Sequence, residues 1–316
     1  MAPDLKLVSE YLKKTGRGPI EIEGKKTTPF SIKLVSKGDR WEDPLQHLNF
    51  SGAVQVDSVK AYGLTLTPKE VPIHLVDASA DAELESPANG GMLAMQPIVD
   101  MRTEPYVLSF KENIDVLKEV KVTQGLIDGL LATLHPLFKD ALLPEGVLGL
   151  HMKNFIWPLT EKGIDKASFA GTLQLNGIRL QSTPFLSGLL DMMGISGREI
   201  MMKDQSIDFE ARNGRVACSP VTLDIQGYPL KMEGSIGFDN TLDFIARVPI
   251  TPKMVGKDAY HLLQGTTIKV PIRGTASRPK IDQAAFQDAT GDLMQQVLQK
   301  NVEQGVQNLF KNLFKK

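Results

Sequence analysis

Over residues 221–250 and 268–272 the apolar side chains recur at every second position of successive segments. That alternation constrains the fold more than any other feature of the chain. Val221, Leu223 and Ile225 share one side of an extended segment; Leu230, Met232, Ile236 and Phe238 follow, then Leu242, Phe244, Ala246, Val248 and Ile250, then Ile268 and Val270. The residues between them are largely Thr, Asp, Lys, Glu and Arg. Successive side chains of a strand point to opposite faces, so this pattern predicts an antiparallel sheet with one apolar and one wet face. Asn213-Gly214 and Asp239-Asn240 supply the turns of a meander over 205–275.

Elsewhere the alternation is interrupted in a telling way. In GAVQVDSVKAYGLTLTP (52–68) the apolar parity changes twice, from Val54 and Val56 to Val59 and Ala61 and then to Leu64 and Leu66. In a flat strand each change would turn the next pair outward. An extra residue near Ser58 and a bulge or turn near Gly63 keep one apolar face and bend the strand. In GTLQLNGIRL (171–180), Leu173 and Leu175 precede Asn176-Gly177, and Ile178 and Leu180 follow with opposite parity. Asn-Gly makes either a bulge or a tight hairpin there, and the sequence leaves both open. Phe30, Ile32 and Leu34 alternate with polar residues; the acids Asp77, Asp81, Glu83 and Glu85 form an acidic alternation whose spacing lacks the glycine and terminal glutamate of a calcium loop and reads as a solvated strand face.

Helical spacing is confined to four stretches. Residues 5–14 carry Leu5, Val8, Tyr11 and Leu12 on one side; 122–143 carries Leu126, Leu130, Leu134 and Leu137 or Phe138, with Pro136 kinking or splitting the helix. TPFLSGLLDMMGI (183–195) offers Thr183 as cap and Pro184 in the first turn. The tail, 283–316, places Phe286, Leu293, Val297, Val302, Val306, Phe310 and Phe314 on a broad apolar side and ends in lysines.

Composition narrows the function classes. Lys and Arg number 36 against 37 Asp and Glu, so the whole chain has no electrostatic pull toward nucleic acid or anionic lipid. The single Cys218 excludes an intramolecular disulfide framework and a cysteine-rich zinc site, and reads as a small buried apolar residue. No apolar run is long enough to span a bilayer, and the first residues lack the apolar stretch of a signal peptide. His47, His74, His135, His151 and His261 are scattered without ligand spacing, and neither a GxSxG elbow nor a phosphate loop occurs. TGRGP (15–19) and NGG (89–91) read as turns. Two Trp and five Tyr are few platforms for stacking sugars or bases. No catalytic residue, metal ligand or cofactor is assigned.

The runs GSIGFDNTLDFIARVPIT (234–251) and TTIKVPIRGTASRPKID (266–282), followed by the amphipathic tail, resemble the carboxy-terminal region of AsmA-like proteins. FAGTLQLNGIRLQSTPFLSGLLDMMGI (169–195) is similar to that family's order of strand, strand and greasy helix, and SEYLKKTGRGPIEIEG (9–24) resembles, less specifically, its entry after a membrane anchor. The likeness is best over 165–316. It implies a bacterial envelope protein exposed to the periplasm, tethered to the inner membrane in a longer parent and related to bridge-like lipid transfer proteins. Phospholipids are the implied partners, with the inner-membrane surface or envelope proteins as contacts of the tail helix. The chain departs from the family by lacking the amino-terminal anchor, so its attachment and the direction of transport are left open.

The expected fold is mainly β with helical covers (α+β): a long twisted antiparallel sheet curled into a half-barrel or groove. It divides into an amino-terminal β-rich part (1–121), a helical cover and connection (122–164), a carboxy-terminal sheet (165–282) and the tail helix (283–316). Gly274 and Pro279 are expected to end the last strand. The expected function is non-enzymatic: binding or conducting phospholipid acyl chains. Leu173, Leu175, Ile178, Leu180, Leu223, Ile225, Met232, Ile236, Phe238, Leu242, Phe244, Val248, Ile268 and Val270 are the expected contacts. The alternatives are a structural envelope protein with a filled core and a carbohydrate-active enzyme with paired carboxylates. The lipid reading requires the sheet to offer more apolar area than its helices hide.

Overall fold

The computed structural model describes residues 20–23, 30–34 and 47–286, apart from 69, 161–163, 182 and 196–198. The helix expected over 5–14, and the tail from residue 287 onward, lie outside the described residues. The protein is mostly one antiparallel sheet, not closed into a barrel.

Its first half is built from long strands, each interrupted near the middle. The interruptions divide β3 (Leu48–Val54) from β4 (Ser58–Ala61), β5 (Leu64–Leu66) from β6 (Val71–Val76), and β7 (Ser79–Ala82) from β8 (Leu84–Ala88). They also divide β9 (Gly91–Met95) from β10 (Pro97–Asp100) and β11 (Val107–Phe110) from β12 (Ile114–Lys121). One set of halves pairs in the order β4–β5–β8–β9–β12, and the other in the order β3–β6–β7–β10–β11. β1 (Ile20–Glu23) adds to β4, and β2 (Phe30–Leu34) to β3. Both sets meet β13 (Leu142–Pro158), whose 17 residues carry β12 along one stretch and β11 along the other. Hydrogen bonds still cross the seam, from Glu83 N to Pro72 O (3.1 Å) and from Asn113 N to Lys153 O (3.2 Å).

Beyond β13 the sheet is a simple meander. β14 (Ser168–Gln181) pairs with β16 (Gln205–Arg212), then β17 (Arg215–Ile225), β18 (Tyr228–Gly237), β19 (Leu242–Pro249), β20 (Thr267–Thr275) and β21 (Arg278–Ile281) follow in turn. The short β15 (Glu199–Met201) adds to the end of β14. This is the meander that the alternation predicts, with its turn at Asn213-Gly214 in left-handed backbone.

The parity changes are resolved individually. An interruption at 55–57 returns Val59 and Ala61 to the face of Val54, and Tyr62-Gly63 closes a two-residue hairpin in which Ala61 opposes Leu64. Asn176-Gly177 makes a bulge, since β14 runs through it and Leu173, Leu175, Ile178 and Leu180 are all buried. Gly274 and Pro279 do not end the last strand: they oppose each other in the β20–β21 hairpin, where an edge strand tolerates proline.

Helices cover the half of the core face that contains β4, β5, β8, β9 and β12. Thr123 caps a helix that is α-helical over Gln124–Leu126, π-helical over Ile127–Leu131 and α-helical again over Ala132–Leu134. Pro136 splits the expected 122–143 helix there, because His135 is extended and Pro136–Phe138 form one tight turn; Leu142 already belongs to β13. The π segment rotates the buried side to Leu126, Ile127 and Leu131, leaving Leu130 and Leu134 partly exposed. This helix meets the Tyr62-Gly63 turn backbone to backbone. A Cβ on Gly63 would stand 1.9 Å from the Gly125 carbonyl carbon, and one on Gly129 2.5 Å from that of Tyr62. The Pro184–Met192 helix begins as predicted, with Thr183 Oγ1 accepting from Leu186 N at 3.0 Å. Two short helices, Pro252–Val255 and Lys257–Leu263, have no counterpart in the sequence reading, although Thr251-Pro252 is a helix-start pair.

Candidate functional site

Thirteen of the fourteen expected contacts, from Leu173 to Val270, are buried on a common core face; Phe238 is half-buried beside them. Their facing agrees with the alternation. What meets them is protein: they form one cluster with Leu126, Leu131, Phe138, Leu189, Met193 and Phe286. Phe244 is fully buried, and the His135 ring lies edge-on to it at 4.9 Å. His135 Nδ1 accepts from Leu137 N at 3.2 Å, while Nε2 has no hydrogen-bond partner among the described residues. Burial holds the His135 pKa down at about 3, so the ring is neutral. Cys218 is also part of this packing; its Sγ approaches Leu134 O at 3.5 Å, and burial pushes the thiol up to about 12. In this half of the sheet the apolar face is filled by the chain's own side chains.

The same face continues beyond the seam, and there it is different. Register places Leu108 beside Trp157 and Val99, Val99 beside Ala80, Ala80 beside Leu75, and Ala82 beside Ile73. Val71 lies beside Val54, and Ile32 shares the face from β2. Every one of these side chains is apolar. All are half-exposed except Ile32, which is 56% exposed, and none belongs to the buried cluster. The sequence reading did not find this surface, because its residues are spread over short segments of one to three alternations each. The pairs Val71/Ile73 and Phe155/Trp157 were the signal available.

Aromatic rings mark the border between the two regions. Phe155 stacks on Phe110 at 4.3 Å and lies 6.0 Å from Trp157 and 5.7 Å from Phe169. Phe238 closes the group, 5.9 Å from Trp157 and 6.3 Å from Phe169. Phe209, buried, meets Phe169 edge-on at 6.2 Å. A bulge between Met152 and Asn154 sets Phe155 and Trp157 on the core face of β13.

The opposite face is polar and internally paired. Arg273 meets Asp243 at 2.8 Å, Arg247 Nε donates to Glu233 at 3.0 Å, and Lys203 meets Asp224 at 2.6 Å. Thr172 Oγ1 and Lys153 donate to Asp208 and hold its carboxyl below the usual range. Of the expected solvated acids, Glu83 and Glu85 are exposed, and Asp81 pairs with His74 at 3.2 Å. A cleft of about 680 Å³ on this side is lined by Asp115, Lys118, His151, Gln174 and Asn176 among others. Both of its basic groups are engaged by Asp115, His151 at 2.7 Å and Lys118 at 3.3 Å. Among the described residues no three His, Cys, Asp or Glu side chains are grouped to hold a metal ion, and no helix is long and apolar enough to cross a membrane.

Comparison with protein-family models, with curated proteins and with solved structures returns no match.

Proposed function

We propose that the protein binds phospholipid acyl chains, without covalent chemistry, on the half-exposed apolar face carried by β2, β3, β6, β7, β10, β11 and the Phe155–Trp157 end of β13. The observation that carries this reading is that the core face carries only apolar side chains across β2, β3, β6, β7, β10 and β11, where those described are half-exposed or more, while its continuation across the seam is buried. Seven strands at about 4.8 Å spacing give a surface roughly 29 Å across. Full burial of a Val, Leu, Ile or Phe side chain contributes about 1.5–3 kcal/mol, so covering the remaining exposed fraction of several such residues offsets the cost of ordering a hydrocarbon tail. With the Trp157 indole N–H as its one hydrogen-bonding side chain among the described residues, such a face selects ligands by solubility rather than by shape. The sheet then acts as a groove, the aromatic border forming its inner wall. This role accords with the AsmA-like resemblance and with placement in the periplasm of a bacterial envelope. The acyl contacts move from the residues expected in the sequence to Val71, Ile73, Leu75, Val99, Leu108 and Phe110.

A second reading, a structural envelope protein, is favoured by the complete filling of the β14–β20 core. Native mass spectrometry of the purified chain separates the two. Co-purifying phospholipid supports carriage; a clean unliganded mass under gentle conditions supports the structural role. Leu108→Asp lowers lipid occupancy at least tenfold while leaving the thermal unfolding midpoint within a few degrees of the parent. Unchanged occupancy would falsify the placement of the site.

A further inference from the structure

One hollow on the polar face gathers side chains whose hydrogen-bonding capacity the fold does not use. Nearby, such groups are engaged: Gln205 Nε2 donates to Thr222 O and its Oε1 accepts from Thr222 N, both at 3.0 Å, and Thr172 Oγ1 donates to Asp208 at 2.6 Å. The amides of Gln174 and Asn176, which line the 680 Å³ cleft from β14, have no such partner among the described residues. Gly149 keeps the hollow open. It opposes Gln174 in register, and a Cβ there would stand 3.2 Å from Gln174 Oε1.

Irregularities in β12 complete the wall. In a regular strand Asp115 and Lys118, three residues apart, would face opposite sides of the sheet. The register shift between Asp115 and Leu117 buries both Val116 and Leu117 and brings the two charged side chains to one side, where they meet at 3.3 Å. His151, opposite Asp115 on β13, joins them through Nδ1 at 2.7 Å. Hydrogen bonds from His151 and Lys118 hold the Asp115 carboxyl below the usual range, so it is ionised and can only accept. Nδ1 therefore carries the ring proton. Nε2, with no partner among the described residues, is left with a lone pair in the neutral ring.

We propose that this cleft is a second site, catalytic and independent of lipid binding, in which His151 acts as general base for the attack of water on a small carboxylic ester. Water's oxygen bonds to the carbonyl carbon as its proton passes to Nε2. The ester C–O bond then breaks and the imidazolium returns the proton to the departing alkoxide, so an acid and an alcohol form with no change of oxidation state. Asp115 is a positioning residue that fixes the tautomer and steadies the imidazolium. Lys118 commits one ammonium proton to Asp115 and keeps two. With the Gln174 and Asn176 amide N–H groups it supplies donors for the oxyanion that develops on the carbonyl. The cleft's volume is in the range of small-molecule sites. A phosphate or other anion is a poorer fit, because Asp115 and Glu119 on the lining outweigh Lys118 while the ring is neutral.

The test is hydrolysis of 4-nitrophenyl acetate by the full chain. His74 forms the same kind of pair with Asp81, at 3.2 Å, but lies outside the cleft, and so controls for what an exposed imidazole does unaided. Saturable hydrolysis is expected, with kcat/KM at least about tenfold lower in His151→Gln and within about twofold of the parent in His74→Gln. The rate is expected to fall in deuterium oxide, since a proton moves to Nε2 as water attacks. Asp115→Asn is expected to lower kcat with KM nearly unchanged, and to shift the 15N resonances of the His151 ring away from the Nδ1–H tautomer. Absence of saturable hydrolysis, or equal losses in the two histidine variants, overturns the proposal. A rate indifferent to deuterium oxide overturns the general-base role, and an Asp115→Asn chain with the parent's kcat overturns the positioning role.

Discussion

The two halves of the long strands teach more together than either does alone. β8 and β7 are one strand interrupted at Glu83, and β12 and β11 are another, yet Leu93, Leu117 and Ala88 on one side of the seam are buried while Val99, Leu108 and Ile73 on the other are half-exposed. Composition does not separate them, since both halves present aliphatic side chains. The difference lies in what stands above. The 124–134 helix is pinned to the Tyr62-Gly63 turn by glycine contacts, and the Pro184–Met192 helix is tied by Thr251 Oγ1 donating to Met193 O at 2.7 Å. No described helix takes that place over β6, β7, β10 and β11.

If one half is a core and the other a binding face, truncating a large side chain must cost very different amounts in each. Phe244→Ala, in the filled half, is expected to destabilise by about 3–5 kcal/mol in denaturant unfolding, because it leaves a cavity among fully packed neighbours. A loss below about 1 kcal/mol would erase the distinction. His135 gives the next largest effect, through pH. Its folded pKa of about 3 lies below the unfolded value near 6.5, so between these values the unfolded chain takes up a proton that the folded ring refuses. The contribution is complete above about pH 6.5 and is lost as pH falls, by up to about 1.4 kcal/mol per pH unit. Urea titrations from pH 7 to pH 4 on the parent and on His135→Phe should differ in slope; parallel curves would mean that the ring is not held neutral. The smallest change is expected at Phe110→Ala, about 1 kcal/mol or less of stability, since its ring is half-exposed and rests mainly on Phe155. A cost matching that of Phe244→Ala would place Phe110 in a second closed core.

Much of the sheet was legible before any coordinates. The 205–275 meander, the cap at Thr183 and the break at Pro136 follow from period-two alternation, side-chain capping and the missing proline N–H, all of which act over a few residues. The candidate site was not legible in the same way. Leu223, Phe244 and Val270 display longer and cleaner alternation than Val99 or Leu108, and so attracted the assignment of ligand contact. Alternation reports which way a side chain faces and carries no information about what it faces. The clean pattern belongs to the half where the chain supplies its own cover, and the fragmented pattern to the half where interruptions such as those at 55–57, Glu83, Gln96 and 111–113 divide strands into pieces too short to stand out.

The sequence by itself determined that this chain forms a one-sided antiparallel sheet, where many of its turns fall, and which residues share the apolar face. Only the tertiary structure decided which part of that face is closed. The pairing of β11 and β12 along different stretches of β13, and the seating of two helices on one side of the seam alone, bring together residues distant in the chain. Burial is a property of that assembly: a side chain loses contact with water only through neighbours the fold delivers, and no local pattern encodes their arrival.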